Sequence, residues 1–341
     1  MKKYAMGIDI GGTNTAFGLV DEDGNVVAEG KISTEKYRYY DDYKPYVEAL
    51  AAAMKELVAS QPECELIGVG VGAPNANIHT GRIETPANLW KFEDPADPRP
   101  NSIRIFNFVD DLAKSFGCSK VMITNDANAA AIGEMVFGNA RGMKDFAMIT
   151  LGTGLGSGIV CNGEMGYGHD GFAGEFGHIA VASREDGRQC GCGRKGCLEA
   201  YVSATGIKRT AFDLMASMTC DSELRSIPYD KFEAKMLSDA AKKGDPIAIE
   251  AFERTGKVLG LALADLTAIT SPEAIILFGG LANAGDFIMR PTYKYMEENQ
   301  LMVFKGKVKL MMSGIQDKNV AILGGAALIW KQHLEAVIEN Y

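Results

Sequence analysis

One short device occurs twice in this chain. Met6–Asn25 (MGIDIGGTNTAFGLVDEDGN) reads as an apolar strand, a glycine bend, a second strand and an Asp-Gly turn. Met148–Glu164 (MITLGTGLGSGIVCNGE) repeats that order, with an Asn-Gly turn at Asn162-Gly163. Each copy is a β-hairpin with a glycine-rich bend, followed by a tight reversing turn. Finding the unit again about 140 residues later predicts a duplicated domain, two lobes facing each other across a cleft. The length, 341 residues, suits two lobes at ~100–200 residues each.

Elsewhere strands and helices alternate. A helix is expected over Tyr43–Ala59, a buried strand over Leu66–Val71, and a loop rich in Pro, Asn and Gly over Gly72–Pro100. A helix (Asn107–Phe116), a strand (Lys120–Thr124) and a helix starting near Asp126 come next. A glycine-rich loop, Gly166–Gly196, holds three cysteines; helices Ser203–Met218, Ala234–Lys243 and Pro246–Ile269 and a strand Ala274–Phe278 follow. The last helix, Gly325 to about Glu339, is expected to return to the first lobe. This alternation gives an α/β fold. The expected division is a smaller N-terminal lobe of residues 1–124 and 325–341, and a larger C-terminal lobe of residues 125–324.

The two bends carry anion chemistry. Glycines let the backbone approach a ligand closely, and consecutive amides make a concave anion site. In the first bend these are Gly11 and Gly12, with Thr13 and Thr15 adding hydroxyls and Asp9 a carboxylate for hydrated Mg²⁺. Gly152, Thr153 and Gly154 supply the same chemistry in the second. One glycine bend alone is an ordinary turn; two matched bends favour a polyphosphate ligand. No G-x-x-x-x-G-K-[ST] occurs. A literal G-x-G-x-x-G at Gly166, Gly168 and Gly171 lacks the strand before it and the helix after it that a dinucleotide site needs.

The strand Lys120–Thr124 runs into Asn125-Asp126, where a helix opens. A carboxylate there suits proton abstraction from a hydroxyl nucleophile, because phosphoryl transfer asks the protein for positioning, charge stabilisation and a base. Capping of the helix by Asn125 or Asp126 is the commoner use of such residues, and the two roles are compatible. Cys190, Cys192 and Cys197 place three thiols within eight residues, with His178 twelve residues upstream. Three thiolates and one imidazole satisfy tetrahedral zinc; a disulfide or independent buried cysteines are the alternatives. Cys64, Cys118, Cys161 and Cys220 stand apart and read as core residues.

A net charge of −9 argues against a nucleic-acid or anionic-membrane surface. The longest apolar run, Val320–Trp330, is short of the ~20 residues a membrane span needs. No export signal is visible, and an odd count of seven cysteines does not suggest a secreted framework, so a cytosolic protein is expected.

Taken in order, Asp9–Thr13 (DIGGT), Asn125–Ala131 (NDANAAA), Leu151–Gly158 (LGTGLGSG), Glu175-Phe-Gly-His178, Cys190–Glu199 (CGCGRKGCLE) and Ser271–Gly280 (SPEAIILFGG) resemble the ROK family of sugar kinases and repressors. DIGGT is shared widely among actin-like ATPases; the cysteine block with its upstream E-x-G-H is specific. The resemblance implies a two-lobed actin-like (ribonuclease H-like) ATPase fold and ATP-dependent phosphorylation of a hexose at its 6-hydroxyl, glucose first and an N-acetylhexosamine second. It implies Asp126 as the base and Asn88 and Asn125 as partners of sugar hydroxyls. Glu175, His178 and Glu199 would hold the opposite edge of the ring, and Gly279 and Gly280 would lie on the adenosine side. It implies Mg²⁺ with the ATP, a structural zinc on His178, Cys190, Cys192 and Cys197, and a homodimer or homotetramer. His178 would then have one ring nitrogen on zinc and the other toward the sugar. Many members have Pro-Gly where this chain has Pro74-Asn75; Asn tolerates a left-handed backbone better than other non-glycines. A repressor needs a helix-turn-helix module, normally ahead of DIGGT, whereas Asp9 follows only eight residues, so a kinase is expected.

Overall fold

The computed structural model describes residues 2–37, 43–86, 89, 104–315 and 320–339. It divides into two compact units, Met1–Gly142 with Met165–Ala173 and Gly314–Tyr341, and Met143–Glu164 with Gly174–Ser313.

The first unit begins with strands β1 (Lys2–Ile10), β2 (Asn14–Val20) and β3 (Val26–Ser33), then helix α1 (Lys44–Ala59) and strand β4 (Cys64–Gly72). Three short strands, β5 (Ala76–Asn77), β6 (Arg82–Glu84) and β7 (Ile105–Phe106), form a small sheet of their own. Helix α2 (Phe108–Phe116), strand β8 (Val121–Thr124) and helix α3 (Asp126–Phe137) follow. The main sheet has the order β3-β2-β1-β4-β8, antiparallel through its first three strands and parallel from β1 to β8. Gly24, at φ 79°, makes the Asp-Gly reversal between β2 and β3. One face of the sheet packs on α1 and α2 through Met6, Ile8, Tyr46, Leu50, Met54 and Phe108, all fully buried. Each such side chain stabilises the fold by roughly 1.5–3 kcal/mol through area removed from water. Helix α8 (Val320–Glu339) packs against β1 and β4 with no room to spare: a Cβ on Gly70 would strike the Gly325 carbonyl.

The second unit repeats the plan. Strands β9 (Phe146–Leu151), β10 (Leu155–Cys161) and β11 (Glu164–Met165) come first, and Asn162 (φ 53°) and Gly163 (φ 81°) make the turn between the last two. Helices α4 (Ala204–Ser217), α5 (Ala234–Lys242) and α6 (Pro246–Thr270), strand β12 (Ala274–Phe278), helix α7 (Asp286–Asn299) and strand β13 (Lys309–Met312) complete it. Its sheet runs β11-β10-β9-β12-β13, with β9 and β10 antiparallel and β9, β12 and β13 parallel. Position for position, this is the order of the first sheet. The α/β duplication expected from the two hairpins is therefore present in the topology.

Two boundaries differ from expectation. The first unit runs to Gly142 rather than stopping at 124, because α3 packs on α8 and β4. The last helix starts at Val320 rather than Gly325 and does belong to the first unit. Of the cysteines expected in the core, Cys161 is exposed at the end of β10, and Cys64, Cys118 and Cys220 are half-buried. Among the described residues, no helix is long and apolar enough to cross a membrane.

Candidate active site

In the first unit the chemistry gathers at the carboxyl ends of parallel strands. Asp9 pairs with Gly72, and Gly72 with Thr124, so the carboxyl ends of β1, β4 and β8 stand level. Asn125 then caps α3, its Oδ1 accepting from the Ala127 amide at 2.8 Å. Asp126 begins the helix, and its Oδ1 accepts from the same amide at 2.8 Å. Asp126 is exposed in the isolated chain. Desolvation by the surrounding chain raises its carboxyl above the ordinary value, opposed by hydrogen bonds from the Ala127 amide and its own. Asp9 is pushed up to about 6, first by burial and second by the charge of Asp126. Two carboxylates thus share one sheet edge, an arrangement that a hydrated divalent cation would relieve.

The bend after β1 is closed by its own backbone, the Gly11 amide donating to the Asn14 carbonyl at 3.0 Å. The Thr13 carbonyl accepts from the amides of Thr34 and Glu35, and Thr13 is exposed. Thr15 corrects the expectation. It is fully buried, with its hydroxyl 2.8 Å from that of Thr34 and 2.6 Å from that of Tyr46, so it belongs to the core and not to a phosphate loop. Its alternation with Phe17 and Leu19 on β2, both buried, was the signal that would have found it.

In the second unit the bend between β9 and β10 has the same build, with the Gly152 amide donating to the Gly154 carbonyl at 3.0 Å. Gly152 and Thr153 are exposed. Glu199 lies against this bend: its Oε2 accepts from the Leu155 amide at 3.0 Å, and a Cβ on Gly154 would strike that carboxylate. At the end of β12, Gly279 (φ 104°) turns tightly against Leu151, whose carbonyl accepts from the Leu281 amide at 3.1 Å. The neighbouring Gly280 is exposed.

Beside the bend, one ligand atom from each of His178, Cys190, Cys192 and Cys197 lies within 4.8 Å of all the others. Cys192 Sγ is 3.7 Å from Cys197 Sγ, and Cys190 Sγ is 3.8 Å from His178 Nδ1. Two thiolates on a tetrahedral zinc with ~2.3 Å bonds stand ~3.8 Å apart, so the donor set fits that ion in number, chemistry and spacing. The other ring nitrogen, His178 Nε2, faces Glu175 Oε2 at 3.8 Å. Sequence reasoning missed Arg184, which donates to Cys197 Sγ at 3.2 Å and to the His178 carbonyl at 3.2 Å. An arginine a few residues from a cysteine block carries no pattern of its own.

A family model described as "ROK family" matches residues 5–333. The chain belongs to the ROK family. It is 33% identical to a glucokinase of Halalkalibacterium halodurans across 97% of this chain and 96% of that one. A glucokinase of Streptomyces coelicolor is 34% identical across 85% and 86%. The solved structure of a ROK family glucokinase from Streptomyces griseus, in complex with glucose and AMPPNP, superposes with a TM-score of 0.73 at 30% identity, covering 95% of this chain and 98% of that one. The α/β, two-lobed actin-like fold expected from the sequence is thus the fold of these kinases.

Within this ROK chain, Asp9, Gly11, Gly12, Thr13, Asn125 and Asp126 fall in the first unit, and Gly152, Thr153, Gly154, Glu175, His178, Glu199, Gly279, Gly280 and the three cysteines in the second. Asn88 lies outside the described residues. Asn125 spends its side-chain oxygen on the cap, so a bond to a sugar hydroxyl would come from its amide nitrogen. Asn75 holds φ 55° and donates to the Thr85 carbonyl at 3.0 Å, so the turn is kept without glycine.

Proposed function

We propose that this chain is an ATP-dependent glucokinase that transfers the γ-phosphoryl group of ATP to the 6-hydroxyl of glucose. The observation that carries the reading is the end-to-end match to glucokinases, one of them solved with glucose and AMPPNP. Asp126 accepts the proton of the 6-hydroxyl as that oxygen bonds to the γ-phosphorus and the bond to the departing ADP breaks. Its raised carboxyl helps, because a base with a pKa nearer the working pH holds the proton more readily. The bends around Gly11–Thr13 and Gly152–Gly154 direct backbone amides at the phosphates. Mg²⁺ held through Asp9 would neutralise charge on the phosphates. Asn88, Asn125, Glu175, His178 and Glu199 hold the sugar, and Gly279-Gly280 the adenosine side.

Zinc on His178 Nδ1 and the three thiolates would fix the loop that carries the sugar-binding residues. Glu175 and the ring of His178 then present Nε2 and a carboxylate side by side, a donor–acceptor pair suited to a vicinal diol. A cytoplasmic homodimer or homotetramer completes the reading. The test is kcat/KM for glucose against N-acetylglucosamine and N-acetylmannosamine with Mg-ATP, and glucose is expected to lead. A preference above tenfold for an acetylated sugar, about 1.4 kcal/mol of transition-state binding, would make the chain an N-acetylhexosamine kinase.

A further inference from the structure

The Cys/His cluster and the second glycine bend lie in separate parts of the sequence, His178–Cys197 and Gly152–Gly154. Here a single stretch, Cys197–Thr205, touches both. At its start, Cys197 is fully buried in the cluster, and Glu199 follows it by only two residues. Along its length it grips the bend at three successive points. Glu199 Oε2 takes the Leu155 amide at 3.0 Å, the Ala204 amide donates to the Gly152 carbonyl at 2.9 Å, and Thr205 Oγ1 donates to the Thr153 carbonyl at 3.3 Å. The stretch is itself held in shape by Ser203. Its fully buried hydroxyl donates to the Glu199 carbonyl at 2.8 Å and, as the cap of α4, accepts from the Gly206 amide at 2.9 Å.

These contacts fix which way the bend's peptides point. The Gly152 and Thr153 carbonyls are drawn toward α4, and the Gly152 amide is spent on the Gly154 carbonyl. The amides left to meet an anion are those of Thr153 and Gly154. A concave anion site works only while its amides converge, and a brace that orients their carbonyls orients them too. We propose that Cys197–Thr205 is such a brace: the metal cluster sets nucleotide affinity as well as sugar affinity, and Glu199 is the positioning residue that joins them. This rests on the reading of Gly152–Gly154 as a phosphate site.

The experiment is the dissociation constant of Mg-AMPPNP without sugar, by calorimetry on the full-length, zinc-loaded chain. A residue that only holds sugar cannot affect it. Removing zinc with a zinc-selective chelator should weaken Mg-AMPPNP by about tenfold, restored on adding zinc back. Glu199→Ala should weaken it by about five- to tenfold, and Thr205→Val by about threefold. Glu199→Gln should stay near wild type, because its amide oxygen still accepts from Leu155. Unchanged nucleotide affinity in Glu199→Ala and Thr205→Val would overturn the brace and leave Glu199 a sugar ligand alone. Should Glu199→Ala fail to fold by circular dichroism, Thr205→Val decides. Tight Mg-AMPPNP binding by a chain that holds no zinc would also overturn it. A zinc-loaded chain that does not bind Mg-AMPPNP at all would instead fail the phosphate-site reading on which the brace depends.

Discussion

Replacing Asp126 by asparagine separates its two conceivable duties, base and helix cap. The Ala127 amide has two acceptors at 2.8 Å, one from Asn125 and one from Asp126. Losing a helix cap ordinarily costs about 1 kcal/mol, but here Asn125 still caps, and the new amide oxygen can accept as well. What goes is the charge at the helix N-terminus, about 0.3–1 kcal/mol. Relief of Asp9, whose carboxyl is raised in part by Asp126, offsets some of that. The net change in stability should stay within about 1 kcal/mol, a shift of a few degrees in melting temperature. The chemistry should respond on another scale. Removing a general base lowers kcat by ~10²–10⁴, about 2.7–5.5 kcal/mol of barrier, with a smaller effect on KM for glucose. The assay pairs coupled ADP release with a thermal melt of the same preparation. A variant that retains near-normal kcat at low temperature while melting many degrees early would refute the base and leave the cap.

Two further outcomes follow from the same unit. Thr15→Val removes a buried hydroxyl that Thr34 and Tyr46 both contact, so denaturant melts should show a loss of about 1–3 kcal/mol; KM for ATP should not move, and a rise in it would return Thr15 to the phosphate loop. Asp9 titrates near 6 when folded against 3.8 in the unfolded chain. The folded state therefore binds that proton more tightly. Its contribution to stability is fully present below about pH 3.8 and falls by about 3 kcal/mol in all as pH rises to about 6 and above. Asp9→Asn should then be more stable than wild type above about pH 6 and lose that advantage below about pH 4, while turning over poorly; a stability difference that is flat in pH would contradict the assignment.

Local chemistry made the duplicated hairpins legible. A glycine bend and an Asn-Gly or Asp-Gly turn announce themselves without tertiary help, and the strand Ala274–Phe278 has the residues expected of it. Helix α7 is not legible in the sequence. Pro291 sits inside it and breaks the pattern that marks a helix, so only packing against α6 reveals it. The start of α8 is hidden from local pattern for a related reason. Gly324-Gly325 looks like a place to begin a helix but is interior, required by the close approach of Gly70 and Ala129. Among site residues, the spacing of His178, Cys190, Cys192 and Cys197 alone suggests that they gather, as they do, whereas residue type and order at Asp126 speak first for a cap and only the family resemblance for a base. The direction of Thr15 could not be judged from its hydroxyl, and the hold of Glu199 on the second bend joins segments 44 residues apart. Contacts of that separation leave no trace in local pattern.

The central claim is phosphoryl transfer from ATP to glucose, and its most direct measurement is the stoichiometry of products. Purified chain, Mg-ATP and glucose should yield ADP and glucose 6-phosphate in equal amounts, with ADP formation falling to background when glucose is omitted or replaced by 6-deoxyglucose. ADP released at the same rate without glucose, or a phosphorylated product from 6-deoxyglucose, would contradict the account.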